Sequence, residues 1–274
     1  MKNFKVACIQ FASGLSVHKN LMEISKYIKS SKELGADIVV LPENFALMAS
    51  VNSNYLDIQE KYGDGYIQNF ISDQAKKNKI WIVAGTIPIQ SSIENKVFQT
   101  SIVFDSKGKL ISSYNKVHLF DVNIIESKEK YKESDVFTPG KNVTVVDTPF
   151  CRLGLAVCYD LRFPELFRKL SDIGVDLVCL PAAFTYITGK AHWEHLIKSR
   201  AIENLVYFAA SAQGGYHLCG RRTYGHSMIV NPWGDTLAEI SSKPGVIIST
   251  IDLKILNNLR KNFPCLDHKR FKCK

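Results

Sequence analysis

The sequence predicts an α/β protein, a four-layer α-β-β-α sandwich assembled from two pseudo-repeated halves. Three observations carry that prediction. Short apolar runs of strand length recur along the chain, several without the polar alternation of a half-exposed strand, so both of their faces have to be covered. Amphipathic helical patterns separate them, as with Leu21, Ile24 and Ile28 after the first run. The runs then return in the same order in the second half of the chain. Two βαβ-rich halves, each with helices over one sheet face, can bury their remaining faces against each other.

Taken in order, Val6-Ala7-Cys8-Ile9 corresponds to Leu155-Ala156-Val157-Cys158, each followed by a helical pattern. Gly35-Ala36-Asp37-Ile38-Val39-Val40-Leu41-Pro42 matches Gly174-Val175-Asp176-Leu177-Val178-Cys179-Leu180-Pro181. Trp81-Ile82-Val83-Ala84-Gly85 matches Tyr207-Phe208-Ala209-Ala210-Ser211. Ser101-Ile102-Val103-Phe104-Asp105, turning through Lys107-Gly108, matches Ser227-Met228-Ile229-Val230-Asn231, turning through Trp233-Gly234. Each half therefore reads strand, helix, strand, helix, strand, hairpin. No Pro/Gly/Ser-rich linker separates them near residue 140, so residues 1–274 are expected to form a single domain with a shared core and a basic tail over about 260–274.

Composition narrows the class. The chain has 274 residues, 46% hydrophobic and 22% charged, enough to bury a large core and unlike a disordered or fibrous protein. No apolar stretch reaches the roughly 18 residues that span a bilayer, and the first apolar run is too short for a signal peptide. A cytoplasmic protein with no membrane partner is the expectation. Seven cysteines at irregular spacings read as reduced thiols, with Cys8 and Cys179 inert in apolar runs. The net charge of +9 is spread along the chain without a basic stripe interleaved with aromatics. A solvated surface and a mobile basic end account for it without nucleic acid as a partner.

Chemistry gathers beyond the carboxyl ends of strands in open α/β sheets. The apolar run Leu153-Gly154-Leu155-Ala156-Val157 stops at Cys158, and Pro164 with Leu166, Phe167, Leu170 and Ile173 then predicts an amphipathic helix. A cysteine at such a strand-to-helix elbow sits near backbone N–H groups and a positive helix end, which favour thiolate and can hold an oxyanion. Glu43 follows the apolar run 37–42, where desolvation suits a carboxylate to general-base work. From position alone the reading to prefer is a solvated strand-end carboxylate. Lys116 follows the strand Leu110–Asn115 and, taken alone, reads as a surface charge.

Together these segments resemble the nitrilase, or carbon–nitrogen hydrolase, superfamily over nearly the whole chain. The likeness lies in Leu41-Pro42-Glu43, in Tyr114-Asn115-Lys116-Val117-His118-Leu119-Phe120, and above all in Gly154-Leu155-Ala156-Val157-Cys158-Tyr159-Asp160-Leu161-Arg162-Phe163-Pro164-Glu165. The resemblance implies a catalytic triad of Glu43, Lys116 and Cys158. It implies a supporting carboxylate at Glu133, with Glu126 and Glu129 as alternatives in the same polar loop. An oxyanion site would combine the Lys116 ammonium with the Tyr159 backbone N–H. The reaction would pass through a thioester on Cys158 and need no metal or organic cofactor. A non-catalytic scaffold is the rival of a different class, and nitrile or N-carbamoyl hydrolysis would use the same triad.

The segments 191–203, Ala210-Ser211-Ala212-Gln213-Gly214-Gly215 and Tyr224-Gly225-His226-Ser227-Met228 resemble the branch acting on small carboxylate-bearing amides. Deaminated glutathione is the favoured substrate within that branch and α-ketoglutaramate the alternative. For an anionic amide, Arg162 is a candidate bidentate partner of a substrate carboxylate, Arg221 or Arg222 would serve the far end of a longer substrate, and Phe184 would line the site. Arg162 reads equally as the internal ion-pair partner of Asp160 or Glu165. His192 and His195 on a predicted helix read as packing groups rather than metal ligands, because no third ligand accompanies them. Trp193, Ile197 and Ala201 form a core stripe. The resemblance also implies a homodimer paired through helices beside the nucleophile.

Overall fold

The computed structural model describes residues 3–126 and 129–271; Met1, Lys2, Ser127, Lys128 and residues 272–274, the end of the basic tail, lie outside the described residues. The first half runs β1 (Phe4–Gln10), α1 (Val17–Glu33), β2 (Ile38–Val40), α2 (Asn54–Asp57), α3 (Tyr66–Asn78), β3 (Trp81–Gln90), β4 (Val97–Phe104) and β5 (Leu110–Asn115). A small hairpin, β6 (Asp121–Ile124) and β7 (Glu129–Lys132), precedes β8 (Thr144–Asp147). The second half runs β9 (Arg152–Leu155), α4 (Pro164–Asp172), β10 (Leu177–Ala182), α5 (Tyr186–Asn204), β11 (Tyr207–Ala212), β12 (Gly214–Tyr216), β13 (Arg222–Tyr224), β14 (Met228–Val230) and β15 (Thr236–Glu239). It closes with β16 (Gly245–Ile251) and α6 (Leu253–Asn262).

Two six-stranded sheets result, in the orders β16-β1-β2-β3-β4-β5 and β15-β14-β11-β10-β9-β8. Alternation along the strands builds the layers. Val6, Cys8, Ile38, Val40 and Val83 point into the core shared with Leu153, Leu155, Leu177 and Cys179 of the other sheet. Their neighbours Ala7, Ile9, Val39, Leu41 and Ile82 pack instead on Leu21, Ile24 and Ile28 of α1 and Ile67 and Ile71 of α3. Over the second sheet, Phe167 and Leu170 of α4 and Trp193, Ile197 and Ala201 of α5 form the outer layer. Helix starts are satisfied locally: Ser16 accepts from Lys19 N at α1, and the buried Glu60 carboxylate accepts from Ile67 N and Gln68 N at α3, the latter at 3.1 Å.

Strand register tests the internal repeat directly. Ile38 pairs with Trp81 as Leu177 pairs with Tyr207, and Ile82 pairs with Phe104 as Phe208 pairs with Val230. Three of the four expected correspondences therefore hold residue for residue. The first slips by two: Val6 pairs with Ile38 and Leu153 with Leu177, so Val6 answers to Leu153, not Leu155. A slip of two keeps each side chain on its face, which is why alternation could not reveal it.

One feature of the topology has no sequence signal. The strand closing the first half, β8, crosses to pair with β9 of the second sheet, and the strand closing the second half, β16, crosses back to β1. The halves are thus interlocked by exchanged edge strands. The tail also departs from expectation. Arg260 is anchored to Leu205 O and Val175 O and pairs with Asp176 at 3.2 Å, and Lys269 pairs with Asp172, so the basic end is tied to the second sheet through residue 269.

Candidate active site

Glu43 stands just past β2, in a turn that needs a close backbone approach from β3. Gly85 sits there with φ +30°, and a Cβ on it would meet Pro42 O at 2.0 Å and Phe45 Cδ1 at 2.8 Å. Asn44, itself at φ +57°, is held by Thr86 Oγ1, which accepts its N–H at 2.8 Å. The Glu43 carbonyl takes a bond from Gln213 Nε2 at 2.8 Å, and Gln213 is locked by Ser13, so a side chain of the second half fixes the turn of the first.

Lys116 follows β5 and is fully buried, 1% exposed. Its ammonium donates to Glu43 Oε1 at 2.9 Å and to both Glu133 oxygens at 2.9 Å. Burial works against its charge, but Glu133 and then Glu43 more than offset that and push the ammonium up. Glu133 follows β7 and also accepts Phe120 N–H at 2.7 Å; burial pushes its carboxyl up against the pull of Lys116. Of the three loop glutamates, it is Glu133 that reaches Lys116; Glu126 is exposed and Glu129 lies within β7. Glu43 Oε1 receives a second donor, Gln99 Nε2 of β4, at 2.9 Å. That oxygen is saturated, and Oε2 is left for other work.

Cys158 occupies the elbow. The chain leaves β9 after Leu155, stays extended at Val157, and turns at Cys158 with φ +46°, a strained value for a non-glycine residue. A 3-10 turn over Cys158–Arg162 intervenes before α4 begins at Pro164. Leu166, Phe167 and Leu170 bury as expected, whereas Ile173 lies past the helix end and is 44% exposed. Sulfur accepts from Ala183 N at 3.4 Å and shares a hydrogen bond with the Glu43 carboxylate. Burial, and then the charge of Glu43, push the thiol well up, outweighing Lys116 and the Ala183 amide.

Glu43, Glu133 and Cys158 line one cleft with Phe120, Tyr159, Arg162, Ala183, Phe184, Thr185, Thr188 and Arg221. Two cations face it. The Arg162 guanidinium lies 5.4 Å over the Phe184 ring and 5.9 Å over Tyr159, and its polar neighbour is His192 Nδ1 at 3.3 Å. The alternative ion pair with Asp160 or Glu165 is not formed. Arg221 donates to Ala183 O at 3.0 Å and lies 4.9 Å over Tyr131, and its buried Nε has no partner. Neither guanidinium forms an ion pair with a carboxylate among the described residues. Arg222 does not join them. It turns to the other side of the β12–β13 hairpin, sandwiched 3.5 Å over Tyr186 and 4.8 Å over Tyr216.

Several residues went unread in the sequence. Gln99 and Gln213 orient Glu43, and a neutral amide inside a strand carries no signal of its own. Thr185 and Thr188 enter as the N-cap and first turn of α5, a pairing that the Thr-x-x-Thr spacing could have suggested. His195 and His192 are not part of a metal cluster: among the described residues, no group of three or more His, Cys, Asp or Glu could hold an ion. No helix among them is long and apolar enough to cross a membrane.

Comparison with known proteins agrees with this geometry. Residues 5–261 match the carbon-nitrogen hydrolase family. A deaminated glutathione amidase of Yersinia enterocolitica is 41% identical over 99% of this chain and 94% of its own length. The omega-amidase of Homo sapiens is 35% identical over 98% of this chain and 96% of its own. The crystal structure of Saccharomyces cerevisiae Nit3, a member of branch 10 of the nitrilase superfamily, superposes with a TM-score of 0.88 at 31% identity, covering 98% of this chain and 97% of that one. With the fold, the strand-end cluster and these relatives in agreement, the chain belongs to the carbon–nitrogen hydrolase family and is an amidohydrolase of the nitrilase superfamily.

Proposed function

We propose that this amidohydrolase cleaves a small carboxylate-bearing amide to an acid and the amine or ammonia of its leaving group through a thioester on Cys158. The observation that carries the reading is the meeting of Glu43 and Cys158, with the Lys116 ammonium bound to Glu43 beneath them, in a cleft that also presents two guanidinium groups without carboxylate partners among the described residues. Cys158 rests as a thiol, so its proton leaves as sulfur attacks. Glu43 accepts it through Oε2, because Oε1 is held by Lys116 and Gln99. The tetrahedral oxyanion is met by the Lys116 ammonium and the Tyr159 amide, which lies in the first turn of the 3-10 segment where helix geometry leaves N–H groups free. Glu43 hands its proton to the leaving nitrogen, the amine departs (ammonia where the amide is primary), and a water activated by Glu43 hydrolyses the thioester. Glu133 keeps Lys116 charged and fixed between two carboxylates.

Deaminated glutathione is the substrate we favour within that class. Arg221 lines the catalytic cleft and also a second hollow bounded by Asn52, Tyr55, Lys130, Tyr131 and Cys219. A short diacid amide needs only Arg162; a peptide-like substrate with a distant carboxylate would use Arg221 and the hollow behind it. A homodimer and a cytoplasmic location belong to the same reading. Release of the carboxylic acid product is to be measured against deaminated glutathione and α-ketoglutaramate in parallel, with intact-mass detection of the acyl adduct. A kcat/KM ratio of about tenfold or more, roughly 1.4 kcal/mol, is expected for the first. The opposite ratio would make the protein an omega-amidase, and absence of a Cys158 adduct would remove the thioester.

A further inference from the structure

Asp160 is a charged side chain with no solvent exposure, and it lies two residues past Cys158. Each of its oxygens joins the cysteine turn to the segment that carries Lys116. Oδ2 accepts Val157 N–H at 2.8 Å, the amide just before Cys158, and also the Tyr114 hydroxyl at 2.8 Å. Oδ1 accepts His118 N–H at 3.1 Å and His118 Nδ1–H at 2.7 Å. Tyr114 and His118 are the residues two before and two after Lys116, so one carboxylate grips the lysine segment on both sides. The His118 ring stacks on Phe163 at 3.7 Å, and Phe163 ends the same 3-10 turn. A carboxylate taken out of water needs donors of this number to be stable there, and here all four come from the two segments whose separation the chemistry depends on.

We infer that Asp160 is a positioning residue, a clip between the Cys158 turn and the Lys116 segment that sets the distance from ammonium to sulfur. The inference rests on the thioester reading for its effect on turnover, not for its effect on the thiol. Displacing a catalytic group by about 1 Å can cost on the order of 10²-fold in rate. Asp160→Asn keeps the size of the side chain but puts an NH2 where one pair of donors must be accepted. The expected result is a kcat about 10²-fold lower with KM within about threefold, in protein whose thermal unfolding remains cooperative. In parallel, the pH profile of Cys158 carboxamidomethylation by iodoacetamide, followed by peptide mass, should move to higher pH as Lys116 withdraws. The substitution leaves the charged groups facing that thiol, Glu43, Lys116, Arg162 and Arg221, chemically unchanged. Tyr114→Phe removes one donor alone and should give a smaller loss of the same kind, about tenfold, and it carries the test if the asparagine variant does not fold. An unchanged kcat, a kcat loss equal to the loss of folded protein, or an unmoved labelling profile would overturn the clip. Should the wild-type enzyme show no Cys158-dependent amide hydrolysis, the functional reading fails, and the labelling profile still decides on Asp160.

Discussion

The two halves share a plan and divide the chemistry unequally. In both, three parallel strands lead into an antiparallel hairpin with the same register, yet the first half brings a carboxylate and an ammonium to the site and the second a thiol and two guanidinium groups. Counting on from the matched pairs Val6 and Leu153, Phe11 stands where Cys158 stands. The difference begins with the exchanged edge strands. β16 pairs with β1 along its full length to Gln10, so that strand has no room to turn. β8 releases β9 after Leu155, and the freed backbone is folded into an elbow by the Asp160 carboxylate. A repeated frame becomes a site where one copy is let go early, and the site is complete only where the two copies meet.

The sharpest way to break this comparison is to remove a thiol from each half. Cys158→Ala should abolish amide hydrolysis, by about 10⁴-fold or more, while leaving the fold intact. Cys8→Ala, which empties a fully buried position between the sheets, should instead lower stability by about 1 kcal/mol and leave kcat unchanged. Steady-state kinetics with thermal unfolding on both variants checks the pair, and residual amidase activity in the first would sink the assignment. Glu43→Gln tests the contribution of the first half. It keeps the hydrogen bonds that an amide can make but cannot accept the thiol proton, so kcat should fall about 10²–10⁴-fold with little change in KM.

A third prediction follows from the state of the thiol. Because burial and the Glu43 charge hold Cys158 well above the ordinary thiol range, near about 8.5, the protonated form persists at neutral pH. The sign is that raising pH raises the thiolate fraction, so iodoacetamide labelling of Cys158 should be slow at pH 7 and climb through alkaline pH. A rate already at its plateau at neutral pH would mean a resting thiolate. Labelling of Glu43→Gln should be faster at a given pH, because the charge opposing ionisation is gone.

Much of this molecule was legible because its strands are apolar runs in a repeated order, because Glu43 and Cys158 each follow such a run directly, and because the segment around Lys116 resembles the family. The supports were not. Asp160, Gln99 and Gln213 act through partners dozens of residues away, and only the folded chain brings those partners together. The strand exchange was hidden for a related reason: β8 and the outer part of β16 are partly exposed edges whose pairing is decided by the other half. At the thiol, relative magnitudes decide the direction. The elbow does supply an amide and a cation, but desolvation in a closed cleft outweighs both.

The neighbouring arginines Arg221 and Arg222 give the smallest and most local test. Consecutive residues along an extended segment face opposite sides, so one guanidinium enters the catalytic cleft and the next lies between Tyr186 and Tyr216. Arg221→Gln should raise KM for deaminated glutathione by about 10–100-fold, the range of a charged hydrogen bond worth about 1.5–3 kcal/mol, and barely alter KM for α-ketoglutaramate. Arg222→Gln should change neither kinetic constant by more than about twofold. Its cost falls on stability: an exposed cation–π contact is worth about 0.5–1 kcal/mol, so unfolding should come a few degrees earlier. If Arg222→Gln instead raised KM as Arg221→Gln does, both faces of the hairpin would have to meet substrate, and the separation of cleft from surface drawn from its alternation would not hold.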